Sequence, residues 1–412
     1  MSSGSAGKFS SLRSAFSNRN YAIYMSGNSI SLIGFWMQRL AVSWLAWVLS
    51  ESEFWVAAVA FVEIVPLILI TPMFGVWADR FDRKTMAVIA QILMMLQAFV
   101  LFFLAWLDLL TIGLLFCLAL AEGVLQAAYQ PIRLSIIPNL VKKEDLVSAA
   151  AFTAVAFNVA RFVGPALAGV VMTLSSPAMA ILFNAVSYLL IVIAWCFINV
   201  PLRVKRTEAH SFTGDIRAGF FYVLDKKALL YLFVLLTVVS LFIRPVAFML
   251  SAFVGAVYES GELTLALFTS AMGIGAVLAG LKLSMDGQTR GLVRDILLMT
   301  LVAIIALIAF AAIKTTWLAT MLLFIFGYAV TIGSVAGQTL VQNSIDDEMR
   351  GRVLSLWAAF TRGAPAIGVL LIGWFSNQYG LMIPNIIAAL LCFVGLLIMM
   401  GKRREMRAFF EV

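Results

Sequence analysis

Charge and histidine are what this sequence has least of. Of 412 residues only 12% are Asp, Glu, Lys or Arg, whereas 63% are hydrophobic, and the mean hydropathy is +1.01. A water-soluble globule needs about twice that charged fraction, so a soluble enzyme or binding domain is excluded. The single histidine, His210, rules out a multi-histidine metal centre or proton relay. The three cysteines, Cys117, Cys196 and Cys392, each fall inside an apolar run and read as small filler rather than as disulfides or metal ligands. There is no nucleophile constellation and no Gly-rich Lys-Ser/Thr loop, so neither a catalytic residue nor a metal or cofactor is expected. The start, Met1 to Asn20, is polar, Ser-rich and basic with no apolar core, which excludes a cleaved signal peptide.

What is abundant is apolar sequence in runs long enough to cross a bilayer, at ~20 residues each. They lie at about Tyr21–Leu49, Phe54–Ala78, Thr85–Leu107, Leu110–Ile132, Val147–Leu174 and Ala178–Val200, then Leu229–Tyr258, Leu263–Leu283, Ile296–Ile313, Trp317–Val341, Val353–Phe375 and Leu381–Met400. Their continuous apolar character, with scattered Gly and Pro, predicts helices and excludes the ten-residue alternation of a β-barrel. The result is an all-α membrane protein of twelve transmembrane helices. With the N-terminus inside, Arg80, Arg83, Lys84, Arg133, Lys142, Lys143, Arg203, Lys205, Arg206, Arg350, Arg352 and Lys402 share one face, and Glu51, Glu53, Asp108, Glu259 and Glu262 the other. The basic face is cytoplasmic by the positive-inside bias, which also accounts for the net charge of +8 without nucleic acid. Both termini are therefore expected in the cytoplasm.

The longest connection divides the chain into a tail 1–20, a six-helix bundle 21–200, a linker 201–228, a second six-helix bundle 229–401 and a tail 402–412. Weak internal repetition supports two pseudo-symmetric halves: Arg161-Phe162-Val163-Gly164-Pro165 with Gly169 in the fifth span, and Arg362-Gly363-Ala364-Pro365 with Gly368 in the eleventh.

Between the second and third spans stands Gly75-Val76-Trp77-Ala78-Asp79-Arg80-Phe81-Asp82-Arg83-Lys84, with five charges in its last six residues. It resembles the signature loop of the major facilitator superfamily: Gly75, Asp79, Arg80, Arg83 and Lys84 fit that pattern, and Asp82 replaces its usual Gly. Ala160 to Gly169, with Gly164, Pro165 and Gly169, looks like the fifth-span motif of exporters in that superfamily. Close helix packing explains its small residues equally well. The stretches Leu120–Pro131 and Asn158–Pro165, and Arg350-Gly351-Arg352-Val353, are similar to the branch that includes the enterobactin exporters. The resemblance implies a major facilitator fold that works by alternating access. It also implies a cytoplasmic latch in which Arg350 or Arg352 meets Asp79 and Asp82.

Six charges remain at membrane depth: Arg39, Arg161, Arg244, Arg362, Glu63 and Glu122. Each costs ~2.5–3.5 kcal/mol on insertion scales, so a polar interior is expected. Depth counting pairs Arg39 with Glu63 and Glu122 with Arg161, as ion pairs that fix register or as carboxylates that exchange arginine for a proton. The second half offers no acid at the depth of Arg244 and Arg362, which makes them candidates for an anionic substrate group. Trp36, Trp44, Phe248 and Tyr328 are candidate aromatic wall residues. The resulting expectation is a monomeric secondary transporter, embedded in the lipid bilayer, that exports a small anionic or amphipathic, siderophore-like molecule with protons as coupling ion. The alternatives are a broad-specificity multidrug exporter and, from another class, a receptor or scaffold that transports nothing.

Overall fold

The computed structural model describes residues 16–71, 73–74, 82–198, 212–286 and 291–411. Gly75, Asp79, Arg80, His210 and most of the N-terminal tail lie outside the described residues. In a bilayer core every backbone N–H must find its acceptor within its own segment, and the apolar runs accordingly fold as helices.

These are α1 (Arg19–Ser50), α2 (Glu53–Leu69), α3 (Arg83–Trp106), α4 (Ile112–Leu140), α5 (Leu146–Leu174) and α6 (Pro177–Phe197) in the first half. In the second half they are α7 (Phe212–Asp225), α8 (Lys227–Phe242), α9 (Leu250–Ala256), α10 (Glu262–Asp286), α11 (Leu292–Ala312), α12 (Thr316–Ser344), α13 (Asp347–Tyr379), α14 (Met382–Gly401) and α15 (Arg403–Phe410). Among the described residues eleven helices are long and apolar enough to cross a membrane. The remaining expected span begins as α2, whose 17 residues run toward residues outside the described set.

One expectation is corrected. The seventh span is not one helix: α8 gives way to a 3-10 turn, Arg244–Phe248, before α9 resumes. Pro245 has no N–H to continue the ladder, which is the physical reason for the break. The linker contains α7, and Tyr222 Oη on it donates to Asp346 Oδ2 at 2.8 Å just ahead of α13. Lys226 also reaches that carboxylate, at 3.3 Å. The Tyr222 hydrogen bond, helped by Lys226, holds the Asp346 carboxyl below its ordinary range. The tail 402–412 likewise contains a helix, α15.

Chain contacts define two units, Met1–Leu45 with Val65–Thr207, and Ala46–Ile64 with Glu208–Val412. In unit 1, α3 packs on α6 around Tyr21, Tyr24, Met94, Tyr188 and Trp195, all 2% exposed or less. In unit 2 the end of α1 meets α9, where Trp47 lies against Gly255, and the start of α2 packs on α13. Ser52 Oγ donates to Asn377 Oδ1 at 2.7 Å, and the Phe54 and Trp374 rings meet edge to face at 5.9 Å.

Three helices are followed by an acidic residue in the left-handed conformation: Glu51 after α1 (φ 45°), Asp108 after α3 (φ 55°) and Glu259 after α9 (φ 47°). That conformation costs a non-glycine residue roughly 1–2 kcal/mol and turns the chain at the end of a helix.

Asp82 begins α3 as its N-cap, its Oδ2 accepting from Thr85 N and Thr85 Oγ1, both at 2.7 Å. The Thr85 side-chain and backbone hydrogen bonds hold its pKa below the ordinary 3.8. Because the folded value is depressed, the cap's contribution is complete above the unfolded pKa and disappears as pH falls through the folded one. Asp82→Ala is expected to lower stability by about 1 kcal/mol at neutral pH. Thermal unfolding of the two proteins should begin to converge as pH falls below 3.8 and coincide once the depressed folded pKa is passed; a difference that does not shrink with pH would mean the side chain does something other than cap.

Candidate functional site

In unit 1 the site starts from a glycine. A Cβ on Gly164 would sit 2.5 Å from Trp36 Cβ and 3.0 Å from the Ile33 carbonyl oxygen, so only glycine lets α5 approach α1 this closely. Pro165 follows without interrupting α5. One turn earlier on α5 is Arg161, and the close approach lays its guanidinium 5.8 Å from the centroid of the Trp36 ring. Arg39, one turn along α1 from Trp36, places its own guanidinium 5.4 Å from the same ring. Phe157 packs edge-on against the indole at 5.9 Å. The Trp36 indole N–H is buried with no hydrogen-bond partner among the described residues. Arg161 has no ion pair among the described residues. The ring quadrupole attracts each cation, but two guanidinium groups on one ring repel each other. The arrangement suits an anion.

The expected Glu122–Arg161 pair does not form. Glu122, 6% exposed, faces α6, where Tyr188 Oη donates to its Oε1 at 3.1 Å and Gln126 Nε2 donates to the same atom at 2.9 Å. Depth along the membrane normal placed the two residues at one level, but the turn of α4 points Glu122 and Gln126, four residues apart, at α6.

Sequence reasoning missed an uncharged polar layer beside this carboxyl. Asn184 Nδ2 donates to Gln38 Oε1 at 2.9 Å, Gln38 Nε2 donates to Gln97 Oε1 at 3.5 Å, and Gln97 Nε2 donates to the Leu118 carbonyl at 3.0 Å. α1, α3, α4 and α6 are thereby tied together inside unit 1. The signal was present in Gln38, Gln97, Gln126 and Asn184, amides in otherwise apolar runs.

In unit 2, Arg244 stands at the break of the seventh span and its Nη1 donates to the Thr361 carbonyl of α13 at 3.1 Å. The structure thus brings Arg244 to the peptide immediately before Arg362. At Gly368, one turn beyond Ala364 and Pro365, a methyl group would overlap the Leu241 carbonyl oxygen, so α13 lies directly on the end of α8. Arg362 is exposed, Arg244, Phe248 and Tyr328 are half-buried, and Trp44 is buried. Glu63 is half-buried on α2.

The described members of the expected latch find partners close by. Arg83 Nη1 donates to the Ser135 carbonyl at 3.1 Å, and Lys84 Nζ donates to the Ile198 carbonyl at 2.7 Å, capping the end of α6. Arg350 pairs with Asp347 at 2.7 Å, and Arg352 Nη1 lies 3.6 Å from Met349 Sδ.

Eleven helices long and apolar enough to cross a membrane among the described residues, with charged and amide side chains inside their units, are the build of a polytopic membrane protein. The chain belongs to the transmembrane secretion effector family, whose model matches residues 10–409. It is similar to the staphyloferrin A transporter of Staphylococcus aureus, 24% identical over 372 residues that make up 87% of this chain and 90% of that one. Macrolide efflux protein A of Streptococcus pyogenes is 21% identical over 87% of this chain and 90% of its own. Among solved structures, a bacterial homologue of the human lysosomal transporter Spinster, inward-facing and unoccupied, shares the fold with a TM-score of 0.73 at 12% identity, covering 95% of this chain and 98% of that one.

Proposed function

We propose that this transporter exports a small anionic or amphipathic, siderophore-like molecule across a bacterial inner membrane, in exchange for protons. Both termini are cytoplasmic in this reading. Bundles 21–200 and 229–401, joined by the linker 201–228, are the proposed moving parts of an alternating-access cycle. The observation that carries the substrate class is the convergence of Arg39 and Arg161 on Trp36 at 5.4 and 5.8 Å. A guanidinium fork suits carboxylate or catecholate oxygens, and the indole N–H adds a neutral donor. Arg244, Arg362 and Tyr328 are the candidate substrate contacts of the second half. The name of the staphylococcal relative supports this class.

Glu122 and Glu63 are the proposed proton carriers. Burial of Glu122 beneath Tyr188 and Gln126 supports that role, because a carboxyl in such a place changes its hydrogen bonding on protonation. Gly75, Asp79, Arg80, Asp82, Arg83 and Lys84, with Arg350 and Arg352, form the proposed cytoplasmic latch. A broad drug exporter is the second reading, favoured by the macrolide efflux relative; paired arginines oppose the cationic drugs such exporters usually take.

The test is transport in proteoliposomes across an imposed proton gradient, preceded by a thermal-shift screen of catecholate and carboxylate siderophores and of macrolides. The expectation is stabilisation by the anions, flux that rises with the gradient, a gradient-insensitive Glu122→Gln protein that still binds, and an Asp79→Asn protein that binds without transporting. Stabilisation by macrolides alone selects the drug exporter, and unchanged coupling in Glu122→Gln removes that residue from the proton path.

A further inference from the structure

α15 follows α14 with one residue between them, and its two faces differ sharply. Met406 and Phe410, four residues apart, are 0% and 7% exposed. Beyond the helix, Glu411 Oε1 accepts from Val293 N at 3.1 Å in the first turn of α11. The helix is therefore pinned against the ends of α8, α11 and α14. Its other face carries Arg403, Arg404 and Arg407, all exposed. The one acid among them, Glu405, is matched by Lys402 at 3.3 Å, so the three arginines keep their surplus charge.

The level at which this charge sits is fixed by α14. Ile383, Ile387, Leu390, Val394, Leu397 and Ile398 form a stripe along it in which every side chain is between 50% and 59% exposed. A bare apolar stripe of that length is tolerated where acyl chains cover it. It stops at the end of α14, and the arginines begin within one turn of that point. This is the depth of the lipid phosphates. The patch is held there by a helix that cannot swing away without uncovering Met406 and Phe410.

We propose that Arg403, Arg404 and Arg407 form a binding site for the phosphate of anionic phospholipids in the adjoining leaflet, so that α15 is a lipid-reading element. Arginine forks chelate phosphate oxygens bidentately, and each base near a membrane surface contributes about fivefold to affinity for anionic lipid. The three together should change it by about 100-fold.

The experiment places the full chain in nanodiscs of phosphatidylcholine alone or with one-third phosphatidylglycerol. It reads thermal unfolding, and native mass spectrometry of the released protein reads retained lipid. Phosphatidylglycerol is expected to raise the unfolding temperature and to be retained selectively. Both effects should be lost in R403E/R404E/R407E and only partly restored in the triple lysine protein, which keeps the charge without the fork. Should charge reversal prevent folding, the triple glutamine protein carries the same test. Equal retention by wild type and the charge-altered protein overturns the site. So does equal stabilisation by inorganic phosphate added to phosphatidylcholine discs, which would make it a free-anion site. The readouts need neither substrate nor flux, so they stand apart from the export reading.

Discussion

Arg161→Gln is expected to weaken binding of an anionic substrate by roughly 10- to 100-fold while leaving the substrate-free protein as stable as before, or more so. Affinity falls because a charge-assisted hydrogen bond in a site shielded from water is worth about 1.5–3 kcal/mol. Stability moves the other way because Arg161 shares the Trp36 ring with Arg39, at 5.8 and 5.4 Å, and has no ion pair among the described residues. Removing one of two like charges from a half-buried place relieves repulsion and desolvation together. A residue kept for function at the expense of stability behaves in this way, whereas a structural residue loses both. Differential scanning fluorimetry with and without ligand reads the two quantities in one experiment. Arg161→Lys should recover only part of the affinity, since an ammonium lacks the planar fork. A lower unfolding temperature with an unchanged ligand shift would place Arg161 in the scaffold and withdraw the anion site.

The fold was legible because bilayer physics writes it in one dimension. Span length, apolar continuity and the one-sided basic loops each follow from position along the membrane normal, and that coordinate can be counted along the chain. Azimuth cannot be counted so directly, and the errors collect there. Glu122 and Arg161 share a depth, yet the turn of α4 sends the acid to Tyr188 on α6 and the turn of α5 sends the base to Trp36 on α1. Searching only for charges also hid the amide layer of Gln38, Gln97 and Asn184, whose neutral groups satisfy one another and so need no acid to betray them. The break at Arg244 was announced by Pro245, but a proline inside a span need not break it, as Pro165 within α5 illustrates.

A large loss of stability is expected at Gly327. This residue and Gly275 face each other's helices reciprocally: a methyl group on Gly275 would overlap the Phe324 carbonyl oxygen and lie 2.9 Å from Tyr328 N, and one on Gly327 would overlap the Met272 carbonyl oxygen. Every obstructing atom is backbone, so no rotamer change can make room. α10 and α12 must separate instead, and the contacts along their crossing are lost together. Gly327→Ala should therefore cost about 3 kcal/mol or more, at or above the upper end of the usual penalty of an overpacked methyl. Gly333, on the same helix, has nothing within 4 Å of its would-be Cβ. There the same substitution should be neutral or stabilising by about 0.5–1 kcal/mol, through the helix preference of alanine alone. Because Tyr328 follows Gly327 directly, the shift also moves a candidate substrate contact, and transport should fall further than the surviving folded fraction accounts for. Fluorescence-detected size exclusion after a temperature ramp compares the two variants. Equal unfolding temperatures would mean that α10 and α12 do not cross at backbone contact.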